Sequence, residues 1–126
     1  MSKTIINSNN APAPIGPYSQ AVLAGATLYV SGQIPMNAET GELVNSDIAA
    51  ETKKVMQNIE SILSEAGYTF KDVVKCSIFV TDMGNFSTIN EVYGTYFKEN
   101  PPARETVEVS GLPKNVNVEI SCIAIK

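Results

Sequence analysis

The chain has 126 residues and a mass of 13.5 kDa, enough for one domain that buries a core without disulfide or metal support. Hydrophobic residues make up 44% and charged residues 17%, a globular balance that excludes a disordered chain. The net charge is -4 and no segment concentrates the basic residues, which argues against tight DNA or RNA binding.

The sequence contains no histidine. Histidine-dependent triads are therefore excluded, and acid–base chemistry falls to carboxylates, Tyr, Lys, Cys or bound water. Cys76 and Cys122 lack CxxC spacing and lie in alternating apolar segments, so we expect free, buried thiols and no metal site. We see no signal-peptide pattern and no run near the ~18 apolar residues of a membrane span. A single cytoplasmic domain, residues 1–126, is the expectation.

The first part of the chain predicts loops and short strands. Asn10–Tyr18 is punctuated by prolines, which favour an ordered extended crossing that ends at Tyr18. Ala21–Ala24 and Thr27–Ser31 predict a hairpin, after which Ser31–Pro35 predicts a glycine-containing turn. Asn37–Glu42 is typical of a hairpin tip and is assigned no chemistry.

The middle of the chain predicts a helix, a strand and a second helix. Apolar residues recur at helical spacing across 47–66, with Ser46 or Asp47 as the N-cap and Gly67 at the end. The segment 73–80 alternates as a strand that is apolar on both faces. A second apolar stripe begins near Asn85 and runs to Phe97, and the following prolines stop that helix.

The last part of the chain predicts two strands, Arg104–Val109 and Val116–Ile125. If they pair as a hairpin, Arg104 faces Glu119. The element order predicts an α+β sandwich with two helices on one face of a mixed sheet. The second apolar sheet face then needs another partner, and we expect it to be buried against further copies of the chain.

Arg104 and Glu119 are the strongest candidates for chemistry. Alternation places Arg104 on the strand face of Thr106 and Glu108, opposite Val107. Two interpretations of Arg104 are open: a surface partner of a neighbouring carboxylate, or a guanidinium fork that binds a ligand carboxylate. Glu119, among apolar strand residues, lies either in water at a rim or in a functional site.

Three further segments are weaker candidates. The Tyr18 phenol either contacts a ligand or covers the edge of the core. The backbone at Ser31-Gly32 either meets a ligand closely or forms only a turn. Asn90, on the polar side of the second helix, is usually a solvated type of residue.

Taken together, several segments resemble the RidA/YjgF family over nearly the whole chain. They are Gly16-Pro-Tyr-Ser-Gln-Ala21, Ser31-Gly-Gln-Ile-Pro35, Asn85-Phe86 with Ile89-Asn90, Pro102-Ala-Arg-Glu-Thr-Val107, Leu112-Pro113 and Val118-Glu-Ile120. The resemblance implies a chorismate-mutase-like fold, assembled as a homotrimer with clefts between subunits. It also implies cofactor-free hydrolysis of reactive enamines and imines, such as 2-iminobutanoate and 2-iminopropanoate, to 2-oxo acids and ammonia.

The resemblance also assigns roles to residues. Arg104 would bind the substrate carboxylate, Glu119 would orient or activate the attacking water, and Tyr18 would line the same pocket. Further substrate contacts are implied for Ser31, Gly32, Ile34, Asn90 from an adjacent subunit, and the backbone of Thr106.

The chain departs from the family pattern beside Arg104. Many relatives have Ser and Cys where this chain has Glu105 and Thr106, and the stretch between Phe97 and Pro101 is shorter than in well-known bacterial members. Thr106 rules out a thiol role, whereas Glu105 should point away from Arg104. Two other functions stay open, namely a non-catalytic trimeric sensor of 2-oxo acids and a ribonuclease or translation inhibitor.

Overall fold

The computed structural model describes residues 2–126 as one six-stranded mixed sheet with two helices on one face. The strand order is β1-β2-β3-β6-β4-β5. The strands are β1 Lys3–Ile6, β2 Ala21–Ala24, β3 Thr27–Gln33, β4 Val73–Val80, β5 Ala103–Glu108 and β6 Val118–Ile125. The helices are α1 Ile48–Glu65 and α2 Phe86–Gly94. The predicted α+β architecture is confirmed.

Helix α1 begins and ends where its capping residues lie. The Asp47 side chain accepts a hydrogen bond from the Ala50 backbone N–H at 2.7 Å, which satisfies one of the free donors of the first turn. Gly67 follows the helix with a φ of 78°, a left-handed conformation that favours glycine. Both predicted ends of this helix are therefore confirmed to within one residue.

The core lies between the helices and one face of the sheet. Alternate residues of β6 point toward the helices and are buried, whereas Glu119 and its alternate neighbours point the other way. Helix α1 contributes the side chains that fill this layer. Its buried apolar residues are Val55, Met56, Ile59, Ile62 and Leu63.

The predicted hairpin between the last two strands is wrong. Strand β4 lies between β5 and β6, and it pairs with β5 in parallel and with β6 in the antiparallel sense. Arg104 is level with Cys76, whereas Glu119 is level with Phe79. The helix α2 joins β4 to β5, and such a crossover makes two strands parallel.

Several predicted boundaries also differ. Strand β1 was not predicted, and it adds to the sheet edge through β2. Strand β3 continues through Ser31 and Gly32 across an irregularity in its pairing, where a turn was predicted. Helix α2 ends at Gly94, before the prolines, and residues 95–97 continue in tighter turns. Strand β6 begins at Val118, after a 3₁₀ turn at Pro113–Asn115.

The sheet face opposite the helices remains partly exposed. Tyr29 is 51% exposed, Val107 42% and Ile125 48%. The burial of this face by further copies of the chain stays a prediction. Over residues 2–126, neither helix has the length and apolarity that crossing a membrane requires.

Candidate functional site

A hollow of about 330 Å³ opens beside the end of β3 and the start of β6. Its volume is sufficient for a small metabolite. Five residues that the sequence singled out line this hollow, together with Ile15 from the Pro-rich loop and Pro113 from the turn before β6. The lining residues are Ile15, Tyr18, Ser31, Gly32, Ile34, Pro113 and Glu119.

The Glu119 carboxylate lies directly over the backbone of Gly32. An added Cβ atom at residue 32 would lie 2.8 Å from Glu119 Cδ, so glycine is needed for this close approach. Burial raises the pKa of the Glu119 carboxyl, because the charged form loses solvation. A carboxylate with a raised pKa, in a hollow, is suited to accept a proton.

The Pro-rich loop that carries Tyr18 is held by one buried side chain. Gln20 Oε1 accepts a hydrogen bond from the Ser8 backbone at 2.6 Å, and its amide donates to the Pro12 carbonyl at 2.9 Å. Within the loop, the Ile15 backbone N–H donates to the Tyr18 hydroxyl at 3.2 Å. The Tyr18 O–H therefore keeps its own proton free to donate into the hollow.

Ser31 and Ile34 form the wall on the β3 side. The Ser31 hydroxyl donates to the Ser19 carbonyl at 2.6 Å, so this hydroxyl joins the strand to the loop while its oxygen can still accept. The buried Asn58 side chain of α1 donates to the Ile34 carbonyl at 3.1 Å. Helix α1 thus holds the wall in place from the core side.

Arg104 lies outside this hollow, at the helix-covered face of the edge strand β5. Its Nη1 donates to Asn90 Oδ1 at 2.7 Å, and its Cζ lies 5.0 Å from the centre of the Tyr93 ring. Lys75 and Glu105 make the only ion pair among residues 2–126, so Arg104 has no carboxylate partner in this part of the chain. The interpretation of Arg104 as half of an ion pair within one chain is therefore wrong.

Glu105 and Thr106, at which the chain departs from the family pattern, have side chains on opposite faces of β5. Glu105 points away from Arg104, as predicted, and is bound by Lys75 and Ser77, which lower its carboxyl pKa. Thr106 lies on the face of Arg104, and its hydroxyl is buried without a hydrogen-bond partner in the described chain. Its backbone lies on the outer edge of the sheet, where a ligand can reach it.

The structure therefore divides the predicted site into two groups on opposite sheet faces. Paired residues of neighbouring strands point to the same face, and Arg104 is level with Cys76, which points toward the helices. Glu119 is level with Phe79, which points the other way. The predicted direct facing of Arg104 and Glu119 is wrong within one chain. The first group is Tyr18, Ser31, Gly32, Ile34 and Glu119, and the second is Asn90, Arg104 and Thr106.

Sequence reasoning missed Glu51, a fully buried carboxylate of α1. It accepts hydrogen bonds from the Asn117 backbone at 3.1 Å and from the Asn117 side chain at 2.6 Å, which holds the start of β6 just before Glu119. The signal was present in the sequence, because Glu51 lies one helical turn before Val55 on the apolar stripe.

The two cysteines lie side by side in the core, level with each other on β4 and β6, and both are free. Burial raises the pKa of the Cys76 and Cys122 thiols, which disfavours a thiolate nucleophile. Elsewhere among residues 2–126, no group of three or more Cys, Asp or Glu side chains could hold a metal ion.

Comparison with known proteins places these features in a family. The model of the family described as endoribonuclease L-PSP matches residues 8–126. A RutC family protein of Pyrococcus horikoshii is 52% identical over 98% of this chain and 98% of its own length. The human 2-iminobutanoate/2-iminopropanoate deaminase is 44% identical over 98% of this chain and 90% of its own.

Solved structures give the same result. RidA from an Antarctic Psychrobacter superposes with a TM-score of 0.94 at 41% identity, covering 98% of this chain and 99% of that chain. TdcF of E. coli with bound serine has a TM-score of 0.94 at 39% identity, covering 98% of both chains. Sequence and fold agree over nearly the full length, and the chain therefore belongs to the RidA/YjgF family.

Proposed function

We propose that this protein hydrolyses reactive enamine and imine intermediates, such as 2-iminobutanoate and 2-iminopropanoate, to 2-oxo acids and ammonia. The observation that carries the proposal is the hollow in which Glu119 lies over Gly32 beside Tyr18. Mammalian relatives named for this activity support it, because the human, rat and bovine proteins are 44%, 45% and 46% identical to this chain.

The proposed site is shared between two copies of the chain. Arg104 and Glu119 lie on opposite faces of one sheet, so one small substrate cannot touch both in a single copy. Strand β5 is an edge strand, and the sheet face bearing Glu119 is open and partly apolar. We therefore infer a homotrimer in which the Arg104 group of one copy completes the Glu119 hollow of the next.

Arg104 supplies the anchor for the substrate. A guanidinium presents five N–H donors, and only one of them is used by Asn90 within the described residues. The remaining donors match the two oxygens of a planar carboxylate. The relative TdcF, which has been solved with bound serine, supports a ligand of this class because serine carries an α-carboxylate.

Glu119 and Tyr18 supply the chemistry. Glu119 accepts a proton from water as the water oxygen attacks the carbon of the protonated C=N group. Glu119 returns this proton to the nitrogen of the resulting carbinolamine. The C–N bond then breaks, ammonia leaves as Glu119 takes the hydroxyl proton, and the C=O bond of the 2-oxo acid forms. In this proposal the Tyr18 hydroxyl, which accepts from the Ile15 backbone N–H, donates a hydrogen bond to the reacting group. Hydrolysis changes no oxidation state, so the reaction calls for no electron carrier.

The activity is tested by generating the imine in situ and measuring how much semicarbazone forms in competition with the enzyme. We expect wild type to suppress trapping, and Arg104→Ala to lose this effect by about tenfold to a hundredfold, as expected for a charged hydrogen-bonded contact. Arg104→Lys keeps the positive charge but lacks the bidentate donor geometry of the guanidinium, so it should retain little more activity than Arg104→Ala. Equal rates for wild type and Arg104→Ala would contradict the proposal.

The shared site is tested by mixing two variants that each retain only a low residual rate. Arg104→Ala and Glu119→Gln, unfolded and refolded together, should regain about a quarter of the wild-type activity, because about one site in four then combines both intact residues. Each variant refolded alone is the control and should keep only its low residual rate. A mixture as inactive as its components would show that the two residues do not act across copies.

The same assays separate the alternatives. Tight binding of 2-oxobutanoate without imine turnover would favour a metabolite sensor. The family model is described as an endoribonuclease, and RNA cleavage that copurifies with the protein at constant specific activity would favour that function. The net charge of -4 makes RNA a less suitable ligand than a small anion held by one arginine.

A further inference from the structure

We propose that Tyr93, assisted by Phe86, is a positioning residue that orients the Arg104 guanidinium for the substrate carboxylate. The inference rests on the proposed function, because that carboxylate belongs to the imine substrate. It concerns a residue whose side chain lies behind Arg104 and does not line the Glu119 hollow.

One stripe of α2 lines one side of the guanidinium. Arg104 Cζ lies 5.0 Å from the centre of the Tyr93 ring and 5.6 Å from that of Phe86, both within the range of cation–π attraction. Asn90, between them on the same helix, accepts from Nη1 at 2.7 Å. Residues three and four positions apart share one helix face, so the three side chains form a single surface for Arg104.

Tyr93 is the fixed member of this surface. It is 5% exposed, whereas Phe86 is only half-buried and Asn90 is exposed. Its ring packs against Phe97 with centroids 4.9 Å apart, so its position is set by the core. Arg104 itself lies on an edge strand, and its long side chain loses considerable rotamer freedom when it is ordered.

The ring and the hydroxyl of Tyr93 have different surroundings. The hydroxyl is buried near the Cys76 thiol and has no hydrogen-bond partner of ordinary geometry in the described chain. The ring face is therefore the part of Tyr93 that acts on Arg104. Rings and Asn90 together occupy one side of the guanidinium and one of its donors, which leaves the other donors for the ligand.

A direct test uses the fact that Arg104 is the single arginine of the chain. Protein labelled with ¹⁵N-arginine gives one Nε–Hε correlation, whose shift and heteronuclear NOE report the ring current and the order of this side chain. We expect Tyr93→Leu to move the correlation downfield and lower the NOE, and Tyr93→Phe to retain both values. Tyr96→Leu, which removes an aromatic ring packed on Phe70 instead, is the matched control.

Two NMR results would overturn the inference. One is a Tyr93→Leu correlation that matches wild type, and the other is a Tyr93→Phe correlation that matches Tyr93→Leu, since the hydroxyl would then be the acting group. If Tyr93→Leu does not fold, Phe86→Leu at the half-exposed ring must produce the same downfield movement. These spectra are recorded without substrate, so they stand whether or not imines are hydrolysed.

The functional consequence is measured on the folded variants. Tyr93→Leu should raise KM and the Kd for 2-oxobutanoate about tenfold, with kcat changed much less, while Tyr93→Phe stays near wild type. Binding of the uncharged 2-oxobutanamide should not change between these variants. An equal loss for the acid and the amide would overturn the inference, whereas a wild-type protein without turnover would contradict the proposed function and leave the NMR result intact.

Discussion

Glu119 and Gly32 approach so closely that no side chain fits between them, because a Cβ atom on residue 32 would lie 2.8 Å from Glu119 Cδ and 3.0 Å from Cγ. The strand β3 thus forms the floor on which the carboxylate rests. Its irregular pairing with β6 between Val30 and Gln33 is the place where this contact occurs.

Gly32→Ala should displace the Glu119 carboxylate while leaving the fold intact. We expect kcat for imine hydrolysis to fall about a hundredfold, since a misplacement of about 1 Å at a reacting group has effects of this size. Gly94→Ala, where an added Cβ meets nothing within 4 Å, is the matched control and should keep wild-type activity. Wild-type kcat in Gly32→Ala would show that the Glu119 position is unimportant for the reaction.

The pH dependence of activity should follow Glu119. Burial raises its carboxyl pKa above the ordinary value of 4.5, and the base must be ionised to accept a proton from water. We therefore expect kcat/KM, which reports the free enzyme, to decline as pH falls, with a midpoint above 4.5. Measured between pH ~4 and ~8, the residual rate of Glu119→Gln should lack this limb, and an unchanged limb would assign it to another group.

Ionisation of Glu119 should lower the free energy of unfolding. Its folded-state pKa is raised, so the folded protein binds the proton more tightly than the unfolded chain does. This contribution to the free energy of unfolding is fully present below the unfolded pKa and is lost as pH rises through the folded pKa. Relative to wild type, Glu119→Gln should therefore gain stability between pH ~4 and ~7 in denaturant titrations, and a difference independent of pH would contradict the raised pKa.

Gln20 should be the main anchor of the loop that carries Tyr18. Gln20→Ala removes the buried hydrogen bonds to residues 8–12 and leaves backbone groups unsatisfied, which should lower the free energy of unfolding by about 2–4 kcal/mol. Gln57→Ala, at an exposed position of α1, is the matched control. Chemical denaturation measures both, and comparable stabilities would show that the loop is held by other contacts.

The open sheet face should be the surface at which copies meet. Val107→Lys adds a charge to an apolar residue that is 42% exposed, and burial of that charge without a partner should prevent assembly. Light scattering at micromolar concentration should show a trimer for wild type and a smaller species for Val107→Lys. Gln57→Lys adds the same charge outside this face, and it should remain trimeric. A monomeric wild type would remove the basis for a shared site.

The local residue pattern was sufficient to predict those helices and strands whose capping residues and apolar spacing lie within or beside the element itself. Helix α1 followed from the spacing of its apolar residues and from the Asp47 cap, and β6 followed from strict alternation that placed Glu119 opposite the core. Helix α2 ends at Gly94, earlier than its aromatic stripe indicated. The tighter turns that follow still pack the partly buried Tyr96 and Phe97 against the core. The spacing of apolar residues indicates which side chains pack on the core, and this packing continues beyond the end of α2.

The sequence alone determined the two helices, the alternation of the strands and the residue types from which a site could be built. The partners of each strand were decided only by the tertiary structure, since β4 separates β5 from β6 and puts Arg104 and Glu119 on opposite faces. The physical reason is that side chains alternate between the two faces along any strand, which is a local property of the backbone. Strand order instead depends on how segments distant in the chain pack around one core. The closeness of Glu119 to Gly32 arises in the same way, between segments far apart in the chain.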